Sequence, residues 1–298
     1  MKMPDNFAIF ILTHGRADNQ ITLRTLQKAQ YDGRLYFLID NEDKQQERYK
    51  ELYGDNVIVF DKAAMDGTFD IMDNFNGRNV VVFARNALNE IAKSIGIKYY
   101  MVLDDDYQRF EFIVYDAKKT IQRRHNISDI NNVLSAMLEY FISTPFTCIA
   151  MCQGGDLIGG TASSVWTQHK RKVMNSFLCD TDRPFQFVGR INEDTNTYVE
   201  LGAKGHLFAT IPELVLHQRE TQGNPGGLTE FYLETGTYYK SFYTVMLQPS
   251  SVHCSLMGQT HKRLHHSIKW KHTVPMIIRE VHKKVENGSE RQKKIERS

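Results

Sequence analysis

Three consecutive carboxylates, Asp104, Asp105 and Asp106, directly follow the apolar residues Met101-Val102-Leu103. In open α/β sheets, ligands bind beyond the carboxyl ends of the strands. Carboxylates at such a place can hold a hard divalent cation against a phosphate-bearing ligand. Because side chains alternate along a strand, we expect Asp104 and Asp106 on one side and Asp105 on the other. The alternative is an acidic loop that only caps the next element.

Two other predicted strands also end in polar residues. Residues 7–12 are continuously apolar and lead into Thr13-His14-Gly15-Arg16, and residues 35–39 lead into Asp40-Asn41-Glu42. The other elements predicted here are strands at 57–60 and 99–103 and helices at 18–29, capped by Asp18, and 83–94. This alternation predicts a doubly wound α/β sheet. Its parallel strands would bring the three polar ends to one edge, so a single ligand site is expected.

The second half of the chain is less regular. Patterning predicts helices at 128–141, capped by Ser128, and at 195–203. Short strands are predicted at 146–152, 207–210 and 214–217.

Composition narrows the possible functions. The 298 residues are 41% hydrophobic, which is enough for a large core, and a net charge of +2 does not mark a nucleic-acid binder. We expect no membrane association and no signal peptide, because no apolar run of about 18 residues occurs and residues 1–6 are polar. The four cysteines, Cys148, Cys152, Cys179 and Cys254, are scattered along the chain. Cys148 and Cys152 lie in an apolar segment and are expected to be buried thiols, which fits a reducing cytoplasm.

The order of these strand ends resembles the GT-A class of nucleotide-sugar glycosyltransferases over residues 7–205. The matching positions are Thr13, Arg16, Asp40, Arg85-Asn86, Asp104 and Asp106. The resemblance implies that the first five, with Asp105, contact a UDP-sugar, and that Asp104 and Asp106 bind Mn²⁺ or Mg²⁺ with its diphosphate. We expect Asp106 to be the direct ligand and Asp104 to lie nearer the ribose or the waters of the metal.

Segments 189–198 and 263–270 are similar to the TET-associated glycosyltransferases, phage and eukaryotic relatives of the base J glucosyltransferase. This resemblance implies sugar transfer to a hydroxymethylated pyrimidine in DNA, such as 5-hydroxymethylcytosine. It also implies one GT-A-type α/β domain at 1–275, with a mostly parallel sheet. Its nucleotide-binding half would cover 1–110 and its irregular acceptor half 111–275, followed by a charged tail at 276–298.

The pair Glu193-Asp194 is the predicted catalytic group. In inverting GT-A enzymes, a carboxylate on a loop that enters a helix accepts the proton of the acceptor hydroxyl. General-base help of this kind typically contributes about 10²–10⁴-fold in rate. The alternative is that Asp194 caps the following helix, a frequent use of Asp. Both roles are compatible.

Late basic residues could complete the donor site. GT-A enzymes often use a late histidine as a metal ligand, and neutral imidazole is a common one. We select His253 and His265, and note that His265 and its neighbour His266 would face opposite ways on a strand. Lys269 is the predicted contact of the departing diphosphate, with Arg263 as the alternative.

Acceptor contacts are predicted at Gly154, Gly155, Trp166, Arg190 and Asn192, with Trp166 able to stack on a base. Basic clusters at 118–124, 170–172 and 262–284 could follow a phosphate backbone. An enzyme that modifies a base in duplex DNA must extrude it or meet it unpaired.

Three other functions remain open from the sequence. They are a GT-A enzyme acting on a protein, glycan or small molecule, a nucleotidyltransferase, and a nucleic-acid-binding protein on a decayed transferase scaffold. A nucleotidyltransferase usually has a Gly-rich first loop, and here only Gly15 is present. The intact Asp triplet argues against decay.

Overall fold

A nine-stranded sheet forms the centre of the protein in the computed structural model, which describes residues 2–75, 77–115, 122–153, 172–218, 229–258 and 262–273. The order across the sheet is β3-β2-β1-β4-β8-β7-β9-β5-β6, and β5 and β8 run opposite to the other seven strands. The strands are β1 Phe7–Leu12, β2 Arg34–Asp40, β3 Val57–Phe60, β4 Tyr99–Asp104, β5 Tyr107–Tyr115, β6 Gln122–Asn126, β7 Cys148–Gln153, β8 Ser176–Asp180 and β9 Phe208–Gln218.

Helices cover both faces of this sheet. They are α1 Ile21–Lys28, α2 Gln46–Tyr53, α3 Val82–Ser94, α4 Ile130–Ile142, α5 Glu193–Ala203 and α6 Thr229–Leu247. A separate antiparallel hairpin, β10 Val252–Met257 and β11 Arg263–Ile268, packs against α6. Within the described ranges, no helix combines the length and apolar composition that crossing a membrane requires.

The side chains of β1 point alternately to the two faces of the sheet, and because both faces are buried, the whole strand is apolar. Phe7, Ile9 and Ile11 belong to the core that includes residues of α1 and α4, whereas Ala8 and Phe10 belong to the core that includes residues of α3 and α5. All five are fully buried. Removing such side chains from water stabilises the fold by about 1.5–3 kcal/mol for each large one. Both faces of this strand are therefore covered, as expected for a strand of a doubly wound sheet.

Two predicted helix starts are wrong. The helix α1 begins at Ile21 after Gln20, not at Asp18, because Asp18 pairs with Arg48 of α2 at 2.5 Å. The helix α4 begins after Asp129, whose carboxylate accepts a hydrogen bond from the Asn132 amide at 3.2 Å. Asp129 therefore fills the capping position that the sequence assigned to Ser128.

The predicted strands at 207–210 and 214–217 are one strand, β9. Its pairing with β7 shifts between Met151, opposite Ile211, and Cys152, opposite Val215. Pro212 lies in this shift, and proline cannot donate a ladder hydrogen bond. The apolar pattern is therefore interrupted where the strand bulges, although the strand continues.

The first turn of α1 rests on the backbone of the Asp triplet. The amides of Ile21 and Thr22 both donate to the Asp105 carbonyl at 3.0 Å. The Thr22 hydroxyl donates to the Asp104 carbonyl at 2.5 Å and accepts from the Tyr107 amide at 2.9 Å. These bonds fix the turn between β4 and β5, and with it the directions of the three carboxylates.

Candidate active site at the carboxyl ends of the strands

The loop after β1 is bound directly to the Asp triplet. Thr13 Oγ1 donates to Asp105 Oδ2 at 2.7 Å, and Arg16 Nη1 donates to Asp105 Oδ1 at 2.7 Å. Both oxygens of the buried Asp105 thus have charged or hydroxyl donors. The predicted meeting of the strand ends is confirmed, and Asp105 serves to hold the loop.

The same loop is further braced by α1 and α2. Gln20 Nε2 donates to Thr13 Oγ1 at 2.8 Å, and since the Thr13 proton goes to Asp105, the Tyr49 hydroxyl at 2.8 Å must donate to Thr13. The Gly15 amide donates to Asp43 Oδ2 at 2.8 Å, with Gly15 in the left-handed region at φ 67°. A residue with a Cβ is disfavoured at that backbone conformation.

Asp40, at the end of β2, is held by the imidazole of His14 and the ammonium group of Lys62. His14 Nδ1 lies 2.7 Å and Lys62 Nζ 3.3 Å from Asp40 Oδ2. Burial alone would raise the pKa of Asp40, but the His14 hydrogen bond and the Lys62 charge hold it below its usual value. Sequence reasoning missed Lys62, which is only 4% exposed. Its position just after β3 was the available signal, because the other strand ends already carried site residues.

Asp106 differs from its two neighbours. Within the described part of the chain, its Oδ1 atom is buried and has no hydrogen-bond partner. Burial, together with the charges of Asp104 and Asp105, raises the pKa of Asp106 to about 6, although a hydrogen bond with the Gln218 side chain opposes the rise. Asn175 Nδ2 donates to Gln218 Oε1 at 2.8 Å, which leaves the Gln218 amide nitrogen to serve Asp106.

Arg85 lies inside the protein and bridges two carboxylates. Its side chain is 3% exposed, pairs with Glu193 Oε1 and lies 3.5 Å from Asp104 Oδ1. The guanidinium also stacks over the Phe177 ring at 4.6 Å. These contacts commit Arg85 to joining β4 to α5. The predicted contact of Arg85 with the UDP-sugar stays a prediction.

Asn86 has a backbone-supporting position. Its amide nitrogen donates to the Phe187 carbonyl at 2.9 Å, and its oxygen accepts from the Phe187 amide at 2.7 Å. Both ends of the side chain therefore hold the loop before α5. The predicted donor contact of Asn86 stays a prediction.

The carboxylates on either side of Arg85 are costly to ionise. Burial raises the pKa of Glu193 to about 7 against the opposing charge of Arg85, and Asp194 contributes to the rise. Burial likewise raises the pKa of Asp104, again against Arg85. Perturbed groups of this kind gather at functional sites.

Asp194 belongs to the first turn of α5. The capping position is Asn192, whose left-handed backbone has φ 54° and ψ 34°. Asp194 Oδ1 accepts a hydrogen bond from the amide of the next residue, Thr195, at 2.6 Å. The interpretation of Asp194 as the helix cap is therefore wrong, and the buried carboxylate lies beside Glu193 instead.

The model of one protein family, the TET-associated glycosyltransferases, matches residues 7–227. The chain belongs to this family. It is a glycosyltransferase, and the predicted GT-A-type α/β fold is confirmed. No curated protein matches the chain. The matched region contains the Asp triplet, Arg85 and the Glu193-Asp194 pair, and it ends before the β10–β11 hairpin that carries the late histidines.

In this glycosyltransferase the late histidines of the hairpin differ in their exposure to solvent. His253 is exposed, and it shares a face of the hairpin with His265 by strand register. His266 is more enclosed: burial lowers its pKa to about 3, helped by the nearby charges of His265, Lys240 and Lys172. The predicted four-residue metal set is not assembled, since no three His, Cys, Asp or Glu side chains of the described residues form a metal-holding group.

Lys172 is a site residue that the sequence did not reveal. It is almost fully buried, and burial lowers its pKa to about 8 while the charges of Cys152 and Asp194 oppose that shift. The charge of Lys172 thus acts on both Asp194 and His266. The sequence suggested that its basic cluster at 170–172 could follow a phosphate backbone, which needs an exposed side chain, so the burial of Lys172 was not predicted.

The remaining predicted contacts have structural partners or lie elsewhere. Arg190 donates to Asp73 Oδ2 at 2.9 Å, to the Phe75 carbonyl at 2.7 Å and to the Gly77 carbonyl, so it clamps a loop. Asn192 Nδ2 donates to the Lys240 carbonyl at 2.8 Å and ties α5 to α6. Lys269 is exposed at the end of the hairpin. Gly154, Gly155, Trp166 and the tail at 276–298 lie outside the described residues.

Proposed function

We propose that this glycosyltransferase transfers a sugar from a UDP-sugar to a hydroxymethylated pyrimidine in DNA, such as 5-hydroxymethylcytosine, with inversion at the sugar. The family match supports the acceptor, and the observation that carries the donor side of the proposal is the buried oxygen of Asp106 at the carboxyl-end edge of the sheet. A buried carboxylate oxygen without a partner is costly, and a bound cation would offset that cost.

Asp106 and Asp104 are the residues that would hold Mn²⁺ or Mg²⁺, whose preferred ligands are oxygens. Asp106 fits the role better, because Asp104 already faces Arg85. When bound, such a cation neutralises the charge that develops on a departing diphosphate. Thr13, Arg16 and Asp40 form the adjoining edge against which the nucleotide would lie.

We assign proton transfer to Asp194. The acceptor hydroxyl gives its proton to the Asp194 carboxylate as its oxygen bonds to the anomeric carbon, and the bond from that carbon to the diphosphate breaks. Arg85 and Glu193 anchor the start of α5, so they would keep the Asp194 carboxylate in place. Lys172 would add a positive charge close to the same group.

Mass spectrometry of DNA tests the acceptor. Hydroxymethylated and unmodified DNA of one sequence would be incubated with the protein, Mn²⁺ and several UDP-sugars in turn. We expect a hexose-sized mass gain on the hydroxymethylated DNA alone. A gain on neither DNA, with transfer to a protein, glycan or small molecule instead, would contradict the DNA acceptor.

Asp194→Asn tests the proton acceptor in the same assay. We expect turnover to fall by about 10²–10⁴-fold while donor binding stays normal, because the amide cannot accept the proton. Asp182→Asn, the same change at an exposed ion pair with Lys98, is the matched control. Near-normal turnover of Asp194→Asn would remove Asp194 as the base.

A further inference from the structure

A group of basic side chains lies at the β6 side of the sheet, opposite the β3 side. We call it the basic edge, and its members are Arg109 on β5, Arg124 on β6 and His217 on β9 on one face of the sheet, and Arg123 and His125 on the other face of β6. The side chains of Arg109 and Arg124 are 55% and 38% exposed, and Arg123 and His125 are also exposed. The strand β6 is the last strand of the sheet in the described part of the chain.

One buried carboxylate organises three members of the basic edge. Glu111 receives Arg109 Nε at 3.3 Å, Arg124 Nη1 at 3.8 Å and His217 Nε2 at 2.5 Å. Its side chain is 8% exposed, so the carboxylate stays inside while the arginines reach the surface. A single negative charge thus positions two guanidinium groups and leaves the edge positive.

The basic edge continues directly from the candidate active site. Arg109 follows Asp106 by three residues, which spans about 10 Å of strand. On β9, Gln218 hydrogen-bonds Asp106 and its neighbour His217 bonds Glu111. The exposed acidic residue of the same strand, Glu213, lies in the middle of β9, next to the partner of Phe112, and Arg124 pairs with Ile113 at about the same level. Arg109 and His217, which pair with each other, are therefore the members of the basic edge closest to the Asp triplet.

We infer that the basic edge binds the phosphate backbone of the acceptor strand, so that the target base reaches the Asp triplet from the β5–β6 side. The identity of this polyanion as DNA rests on the proposed function. Guanidinium groups match phosphate oxygens in a two-pronged geometry. A phosphate contact of this kind fixes the position of the strand and carries no sequence preference.

Salt-dependent DNA binding tests the inference with Arg109→Gln/Arg124→Gln. Each phosphate contact contributes about 0.9 to the slope of log affinity against log salt, so we expect the slope to decrease by about two. The affinity lost at 50 mM salt should then exceed that lost at 200 mM by about tenfold. Arg34→Gln removes the same charge at the exposed amino end of β2 and should leave the slope unchanged.

Further variants separate charge loss from misfolding. Arg109→Lys/Arg124→Lys should restore most of the slope, because lysine also neutralises phosphate. Arg123→Gln, which lies outside the Glu111 contacts described above, should lower the slope by about one without disturbing that cluster. A wild-type slope in both glutamine variants would overturn the inference.

Failure of the phosphate-binding inference can be distinguished from failure of the proposed function by comparing the salt slopes with the DNA glycosylation assay. If hydroxymethylated DNA gains a sugar but the slope does not change, the basic edge is not the phosphate contact and the proposed function stands. If no DNA gains a sugar but the glutamine variants lower the slope, the basic edge binds the polyanion and the acceptor assignment fails. The rise in Tm caused by UDP-sugar with Mn²⁺ should remain at the wild-type value in every variant of the edge.

Discussion

The loop-facing edge around Thr13, Asp40 and Asp105 and the interior cluster around Arg85, Glu193 and Lys172 handle charge in opposite ways. At the edge, Asp40 and Asp105 each have a hydrogen-bond partner 2.7 Å away, His14 and Arg16, and the pKa of Asp40 is lowered. In the interior, burial outweighs pairing, and the pKa values of Glu193 and Lys172 shift toward neutrality, to about 7 and about 8.

Under the proposed function, the two regions would therefore have different roles. Partners that stabilise the ionised form make a stiff surface against which a nucleotide can bind. Groups whose pKa values lie near neutral pH are suited to hold or exchange protons. Asp106 belongs to neither region fully, because it lies at the edge and yet has a raised pKa and a buried oxygen without a partner in the described residues.

Asp106→Asn should have the largest effect of the changes that probe this boundary. We expect turnover to fall by about 10³-fold or more, since a bound cation contributes several kcal/mol to the transition state. Thermal unfolding with UDP-sugar and Mn²⁺ provides a second measurement: the wild-type Tm should rise and the variant Tm should not. Asp182→Asn is the matched control, and an equal Tm rise in Asp106→Asn would exclude this residue from the metal site.

Arg85→Met tests how much the ion pairs of Arg85 with Asp104 and Glu193 contribute to the stability of the protein. Removing one partner of a buried ion pair leaves charge without compensation, and we expect the free energy of unfolding to fall by about 3–5 kcal/mol. Urea denaturation measures this change. Arg48→Met, which breaks the exposed pair with Asp18, should have little effect.

A double variant sharpens the result for Arg85. Adding Glu193→Gln to Arg85→Met removes the stranded charge, so part of the lost stability should return. If the two changes were simply additive, the bridge between β4 and α5 would not be an energetic unit.

The smallest expected effect is a change in how stability depends on pH. The pKa of Glu193 rises from 4.5 to about 7 on folding, so the native state binds the extra proton between these values. Stability should therefore decrease as pH rises from about 4.5 to 7, and Glu193→Gln should lessen that decrease. Chemical denaturation across this range measures both curves, and parallel curves would contradict the raised pKa.

Sequence patterning predicted the strands whose carboxyl ends form the candidate site better than it predicted the strands of the second half of the chain. The strands β1, β3 and β4 agree with the predicted ranges within one residue, because continuous apolar runs ending in polar residues are a local signal. The strands β5, β6 and β8 and the β10–β11 hairpin were not predicted. Their residues pair with segments far away in the chain, and in β9 Pro212 interrupts a strand that its neighbours nevertheless complete.

The roles of the charged residues likewise depend on contacts between segments that are distant in the sequence. Asp104, Asp105 and Asp106 look equivalent in the sequence, yet one faces Arg85, one is bonded by Thr13 and Arg16, and one has a buried oxygen without a described partner. Arg85 is predicted from the sequence as a donor contact, and the structure buries it against Glu193 and Asp104. Environment, and not residue type, sets these roles.

By itself, the sequence determined the alternating strands and helices, the strand ends that meet at one edge, and the resemblance to a glycosyltransferase family. Each of these depends on residues close together in the chain, where apolar periodicity and turn residues carry the information. Only the tertiary structure decided which carboxylates are paired, that Lys62 and Lys172 are buried, and that Arg85 joins β4 to α5. Those properties depend on which side chains, distant in the sequence, exclude water from a charged group. The local spacing of residues does not specify those long-range contacts.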